Sequence, residues 1–316
     1  MALKWSDLFT QGTLINFSEH MWRARLQLKA GDLGIQESDE VKKALSFGTQ
    51  RLAPKEAFEV LNRISTAWKS DINFHSLNFP LLEGVRFVPD NQVQILSGKL
   101  EIHQKAFQKE VRAFVNRYDE IKKKQLPILE QALKDACKTP EAAYAAYMRV
   151  ESEYPSADAV SQKFGLEWGF FSVELPTSKE AAMAAKDAAP QIKSVVESMV
   201  SQLRSDLKSK VESLIQIAGR IDTDKKDGFT DRSIGAAMTV LDRVDALNIL
   251  DDVDLRQQTR KLRAALDSSA KGTVELKEVV GDLMDARKAL EIDKEKAIKE
   301  AEKKLMGIGD RKMKWK

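Results

Sequence analysis

Between Asp90 and Cys137 large side chains recur at every third or fourth position. They are Val93, Leu96, Leu100, His103, Phe107, Val111, Phe114, Tyr118 and Ile121. That spacing puts all of them on one face of a single helix. Lys105, Lys109, Arg112, Asn116, Arg117 and Glu120 fall on the opposite face. Burying such a seam is worth on the order of 20 kcal/mol gross, so the face requires a packed partner. Asp90 is a good N-cap, and Pro127 is expected to kink the helix.

A second long seam follows. Thr177-Ser178-Lys179-Glu180 reads as a capping box. Beyond it Ile192, Val195, Met199, Leu203, Leu207, Val211, Leu214, Ala218 and Ile221 keep helical spacing. At about 1.5 Å per residue, Asp90–Leu133 and Thr177–Ile221 each span roughly 65 Å. Matched lengths lead to the expectation of an antiparallel hairpin or coiled coil, joined by Cys137–Pro176. Pro127 and Pro190 would then share a bend. Ile234–Leu250, Val253–Leu266 and Thr273–Leu290 are three further amphipathic helices, and Glu291–Leu305 continues with a thinner apolar face. These predict a C-terminal helical bundle.

Strands are expected in the first half. Thr13–Leu28 alternates, with Trp22, Ala24, Leu26 and Leu28 on one side. Ile72–Leu77, Leu82–Val88 and Gly165–Leu175 read as further strands. Pro54 opens a helix to Ser70 bearing Phe58, Leu61, Ile64 and Trp68, and Thr139-Pro140 opens another to about Glu153. Short helices are expected at Ser38–Leu45 and Ser156–Phe164. The expected class is mainly α with a small antiparallel β-sheet (α+β), divided into 1–176 and 177–316.

Lys and Arg number 51 against 48 Asp and Glu, so no bulk field favours nucleic acid. Cys137 is the single cysteine, which excludes an internal disulfide and fits a cytoplasmic setting. The opening residues lack an apolar signal core, and no apolar run approaches membrane-spanning length.

Phosphate-loop, dinucleotide, His-Glu-x-x-His and Gly-x-Ser-x-Gly patterns are absent from the sequence. His20, His75 and His103 are far apart, so a histidine site would need distant residues to converge. A packed histidine and a structural thiol at Cys137 are the plainer readings. Asp222, Asp224, Asp227, Gly228 and Asp231 resemble a calcium loop in composition. Lys226, Asp227 and Ser233 stand where that loop needs an acid or amide, a glycine and a glutamate, so a polar turn is expected. Neither a cofactor nor a metal is expected. A basic tail carrying Lys303, Lys304, Arg311, Lys312, Lys314, Trp315 and Lys316 supplies candidate nucleic-acid contacts. A solvated tail is the competing reading, as is a wet helix face for Lys122-Lys123-Lys124.

Trp22-Arg23-Ala24-Arg25, Leu28 and Asp32-Leu33 resemble the pattern W-x-G-R-x-x-L-x-x-x-D-L of domain-of-unknown-function family 3150, found in bacteria and their phages. The similarity continues at Phe47-Gly48, at Pro54, Phe58 and Leu61, at Gly84-Val85-Arg86-Phe87, and at Phe114, Tyr118 and Phe164. It covers roughly residues 14–176. Ala24 stands where the family usually has glycine, and the Arg86–Pro89 link is shorter than usual. The resemblance implies no assigned activity. It does imply gene neighbours, a MoxR-type AAA+ ATPase and a von Willebrand A-domain protein. The expectation is therefore a non-catalytic helical adaptor in a bacterial or phage-infected cytoplasm, partnered by such an ATPase or by a second copy through its long helices. The alternative is a nucleic-acid-binding accessory protein using the basic tail.

Overall fold

The computed structural model describes residues 8–27, 49–137, 139–172, 188–218, 229–270, 276–292 and 296–303. In chain order the elements are β1 (Gly12–His20), β2 (Arg25–Gln27), β3 (Thr49–Arg51), α1 (Glu59–His75), β4 (Leu77–Asn78) and β5 (Val85–Pro89). There follow α2 (Asp90–Asn116), α3 (Tyr118–Ala136), α4 (Pro140–Ser152), α5 (Ala157–Ser161), β6 (Gly165–Phe171), α6 (Ala188–Ala218), α7 (Asp231–Leu247), α8 (Val253–Ala270) and α9 (Leu276–Ile292). Residues 296–303 form α10. The chain is mainly helical, as its periodicities predict, and its described residues form a small four-stranded antiparallel sheet and a separate two-stranded ribbon, β2–β3.

Contacts gather the chain into two compact units. Unit 1 comprises Met1–Phe17, Asp71–Gly98 and Trp168–Lys316, and unit 2 comprises Ser18–Ser70 and Lys99–Glu167.

In unit 1 the sheet runs in the order β4-β5-β1-β6. β1 pairs antiparallel with β5 from Gly12↔Pro89 to Asn16↔Val85, and β4 adds Leu77↔Phe87. Gly12 is required by close approach: a Cβ there would lie 2.3 Å from the Val88 carbonyl oxygen and 2.6 Å from the Phe87 ring. The strand expected over Ile72–Leu77 is helical as far as His75. Ile72 is fully buried in step with Leu61, Ser65 and Trp68, so the helical period outlasts the β-branched residue. Leu82 lies in a turn that Gly84 closes at φ +73°, and the strand begins only at Val85.

The seam of α6 is buried as its spacing predicts, but its partner differs from the expected one. Val195, Met199, Leu203, Leu207, Val211 and Leu214 pack with Leu241 and Val244 of α7, Leu262 and Leu266 of α8, Val279 and Leu283 of α9, and Leu14, Leu77 and Phe87 of the sheet. The three later helices follow α6 at short separation, so closing those contacts orders little intervening chain. The bundle therefore takes the place of the long hairpin as the cover for α6. Pro190 falls in the first turn of α6, where a missing N–H breaks no intrahelical bond. The capping box at 177–180 and the short helix expected at 38–45 lie outside the described residues.

A buried ion pair ties α6 to the start of α8. Arg204 Nε donates to Asp252 Oδ2 at 2.8 Å and Nη2 to Oδ1 at 2.9 Å, with both side chains 4% exposed. Asp252 Oδ1 also accepts from the Leu255 backbone N–H at 3.0 Å, and the Asn248 amide brackets the Asp252 backbone on both sides. Arg204 Nη1 is buried without a hydrogen-bond partner among the described residues.

Unit 2 is built around aromatic rings. Trp22 meets Phe58, Phe114 and Tyr118 edge-on at 6.1, 6.2 and 5.7 Å, and Phe164 closes the cluster against Phe107 and Phe114. Leu100, Phe107, Phe114 and Tyr118 of the first long seam are buried, while Lys105, Lys109, Arg112, Asn116, Arg117 and Glu120 are exposed. The break in that seam is at Arg117 (φ −96°, ψ 0°) rather than at Pro127. The turn lets Tyr118 Oη donate to the Pro155 carbonyl at 2.9 Å while its ring stays in the cluster. Pro127 is exposed inside α3, so the carbonyl it leaves without a donor can be hydrated.

The expected single strand Thr13–Leu28 is divided between β1 and β2. At the division Ala24 adopts φ +46°, a left-handed conformation in which a side chain is strained. The Ala24 carbonyl accepts from Leu52 N–H at 2.7 Å, and β2 then pairs with β3 from Arg25↔Arg51 to Gln27↔Thr49. A glycine would meet this backbone requirement without strain, which accounts for its place in the W-x-G-R pattern.

Candidate interaction surface

The partner of α3 is the next helix. Cys137 N–H bonds the Leu133 carbonyl at 2.9 Å and ends α3; Thr139 Oγ1 then accepts from Ala142 N–H at 3.2 Å and starts α4, with Pro140 in the first turn. Leu129 and Leu133 are the buried positions of α3 beyond Tyr118. Ala143, Ala146 and Val150 are those of α4, and the two small side chains permit close packing.

The other side of α4 faces outward. Tyr144 is 67% exposed, Met148 is exposed one turn further on, and Tyr147 is half-buried between them. With Glu130, Lys134 and Cys137 of α3, and with Thr139 and Pro140, Tyr144 and Tyr147 line an open groove of about 370 Å³. Glu130 and Lys134 pair at 2.7 Å along its wall. Burial, and then the charges of Glu151 and Glu130, raise the Tyr147 hydroxyl above its ordinary value, so it stays a neutral donor. Aromatic faces, a thioether and a paired charge suit the side chains of a docking partner. The helix expected from Thr139-Pro140 to about Glu153 is α4, and its outward face is not among the expected sites. The signal was Tyr144, Tyr147 and Met148 at steps of three and one, off the alanine face.

The three histidines remain separate. His20 Nε2 lies 3.5 Å from Ser18 Oγ and 3.7 Å from Glu167 Oε2. A nucleophile–base–acid relay needs hydroxyl and carboxylate on different ring nitrogens, whereas both face Nε2 here, at long range and in solvent. His75 Nδ1 lies 2.7 Å from Gln92 Oε1 in the core, joining α1 to the first turn of α2. His103 is half-buried on the seam of α2.

Asp231 is the first residue of α7, capped by Thr230, whose Oγ1 accepts from Ser233 N–H at 3.2 Å. The rest of the aspartate-rich stretch expected as a polar turn, 222–228, lies outside the described residues. Among the described residues no group of three or more His, Cys, Asp or Glu could hold a metal ion. Lys303 is exposed at the end of α10; Lys304, Arg311, Lys312, Lys314, Trp315 and Lys316 lie outside the described residues. Lys122 Nζ sits 5.0 Å from the centre of the Tyr154 ring, while Lys123 and Lys124 are exposed.

Arg86, from the Gly-Val-Arg-Phe motif, has a structural task. Its Nε donates to Ser76 Oγ at 2.6 Å and Nη2 to the Ser76 carbonyl at 3.1 Å, while Nη1 bonds Asn78. Arg243 reaches the same Ser76 carbonyl at 3.3 Å and pairs with Asp206. Burial, and then the neighbouring Arg243 charge, push Arg86 down to about 10 despite Asp206. These donors are spent on the junction between α1 and β4.

Sheet, bundle and aromatic-cored unit define a mainly helical α+β protein with exposed helical faces. The sequence profile of DUF3150, described as a protein of unknown function, matches residues 10–275. The chain belongs to this family, and the match reaches well past residue 176 into the helical bundle. No curated protein and no solved structure matches it. Among the described residues no helix is long and apolar enough to cross a membrane.

Proposed function

We propose that this chain is a non-catalytic adaptor in a bacterial or phage-infected cytoplasm, docking through a helical face onto a MoxR-type AAA+ ATPase that works with a von Willebrand A-domain protein. The observation that carries the docking part is the outward face of α4. Tyr144 and Met148 are exposed beside an open groove, on a helix whose other face is packed against α3. Large aromatic and methionine side chains at the centre of an interface commonly dominate its affinity. The ATPase identity rests on the gene neighbourhood that family membership implies.

The test uses the full chain with a MoxR-type ATPase and a von Willebrand A-domain protein from the same genome. Size-exclusion chromatography with light scattering should show a complex with the ATPase. Replacing Tyr144 and Met148 by serine should weaken it by about tenfold or more while leaving the circular dichroism spectrum unchanged. A chain that elutes alone as a monomer beside both proteins overturns the reading. A stable homodimer broken by the same substitutions would instead assign the face to a second copy.

A further inference from the structure

The ribbon β2–β3 places two arginines directly across from each other, since Arg25 is the register partner of Arg51. Cross-strand neighbours on one face have Cβ atoms only about 5 Å apart, and like charges in that position oppose pairing. Among the described residues, neither guanidinium takes an ion pair or a side-chain hydrogen bond that would offset this. Arg25 is exposed and Arg51 half-buried, while Arg23 is exposed two residues before Arg25.

A fourth cation is brought to the same place. Gln125 of α3 donates to the Arg51 carbonyl at 3.2 Å, and Lys122 lies one turn earlier on that helix. The Lys122 ammonium is held over the Tyr154 ring, whose hydroxyl donates at 2.9 Å to the carbonyl of Leu52, the residue after Arg51. The cation is thus fixed by an aromatic face rather than by a carboxylate. Glu120 and Glu153, the acids nearest Lys122 and Tyr154 along the chain, pair with none of the four.

We infer that Arg23, Arg25, Arg51 and Lys122 form a binding face for the phosphate backbone of nucleic acid, made of none of the residues of the α4 groove or the basic tail. Side-by-side guanidinium groups match phosphates through paired N–H donors. A nucleic-acid strand supplies negative charge about every 3.4 Å of axis, which an isolated carboxylate on a peptide does not. Bound phosphates would also relieve the repulsion between Arg25 and Arg51. The contacts reach the backbone only, so the face is expected to bind without sequence preference.

The test is fluorescence anisotropy with the full chain, using a labelled oligothymidine strand and a labelled duplex across a potassium chloride series. The expected result is salt-dependent binding. The combined variant Arg25→Gln, Arg51→Gln, Lys122→Gln should lose about tenfold or more in affinity, and its slope of log affinity against log salt should fall by about 2 to 3. Lys105→Gln, which removes a lysine already paired to Glu101, should leave both unchanged. Removing residues 304–316 should leave the difference between wild type and the combined variant in place. Arg25→Gln alone should melt no lower than wild type, because it removes a repulsion.

Failure of both probes to bind at low salt overturns the inference. So does an unchanged slope in the combined variant, or loss of all binding with the tail. Displacement by polyglutamate as effective as by unlabelled DNA at equal charge would assign the face to an acidic polypeptide. A lower melting temperature for Arg25→Gln would show that the two arginines are not in conflict, and would remove the premise.

Discussion

Replacing Asp252 by asparagine tests the buried pair in unit 1 while holding shape constant. Asparagine keeps the side-chain oxygen that accepts from Leu255 N–H, so the cap on α8 survives; loss of such a cap costs about 1 kcal/mol. What disappears is the charge that compensates Arg204, whose side chain is 4% exposed and whose Nη1 already has no partner among the described residues. Breaking a buried pair from one side costs about 3–5 kcal/mol. With the cap retained, the expected loss is near the lower end, about 3 kcal/mol. Arg204→Met is expected to cost less, about 2 kcal/mol, because the remaining carboxylate still lies at a helix N-terminus. The double variant leaves no buried charge and should cost no more than about 2 kcal/mol, giving a coupling near 3 kcal/mol. Urea unfolding followed by circular dichroism at constant slope measures all four corners of the cycle. Additive losses, or a cost below about 1 kcal/mol for Asp252→Asn, would refute the claim that this pair is desolvated and coupled.

Two further perturbations probe unit 2. Ala24→Gly should be close to neutral, because relief of about 1–2 kcal/mol of left-handed strain is opposed by extra unfolded-chain entropy and one buried methyl, together of similar size. Ala24→Val should lose about 2 kcal/mol or more, and thermal melting of both variants checks the contrast. Burial, and then the Asp119 charge, raise Tyr118 to about 12, so the fold favours the neutral phenol. The unfolded chain loses that proton near pH 10, so the stabilising contribution is intact below pH 10 and disappears as pH rises toward 12. Absorbance at 295 nm should show Tyr118 ionising together with unfolding, and Tyr118→Phe should remove one phenol from that step.

Helical periodicity carried most of the fold. The buried and exposed faces of α2 and α6 follow directly from residue spacing, because each seam is long enough for the period to be unambiguous. Short elements were less legible. Ile72 sits among strand-forming residues but is claimed by α1, since its burial is decided by the stripe that began at Leu61. Arg117 breaks the first long helix although Pro127 is the stronger local signal, because the tertiary demand of Tyr118 and Pro155 falls at the former. Matched length misdirected the pairing of the long helices. It carries no information about which other apolar faces compete for a seam, and α7–α9 supply that cover for α6. At the candidate surfaces, Arg25 and Arg51 are separated by the whole of the intervening chain. Only strand register brings them opposite one another, and no single-strand pattern contains a register.

The interleaving of the two units has a consequence for biosynthesis. Every stretch of unit 2 has been translated once Glu167 is added, whereas unit 1 still awaits α6 to α9. The aromatic centre can therefore consolidate while the sheet strands already made lack the helices that cover them. Leu14, Leu77 and Phe87 stay wet until the second half of the chain leaves the ribosome. Slow translation through that half would prolong the interval in which a nascent chain is open to capture by chaperones.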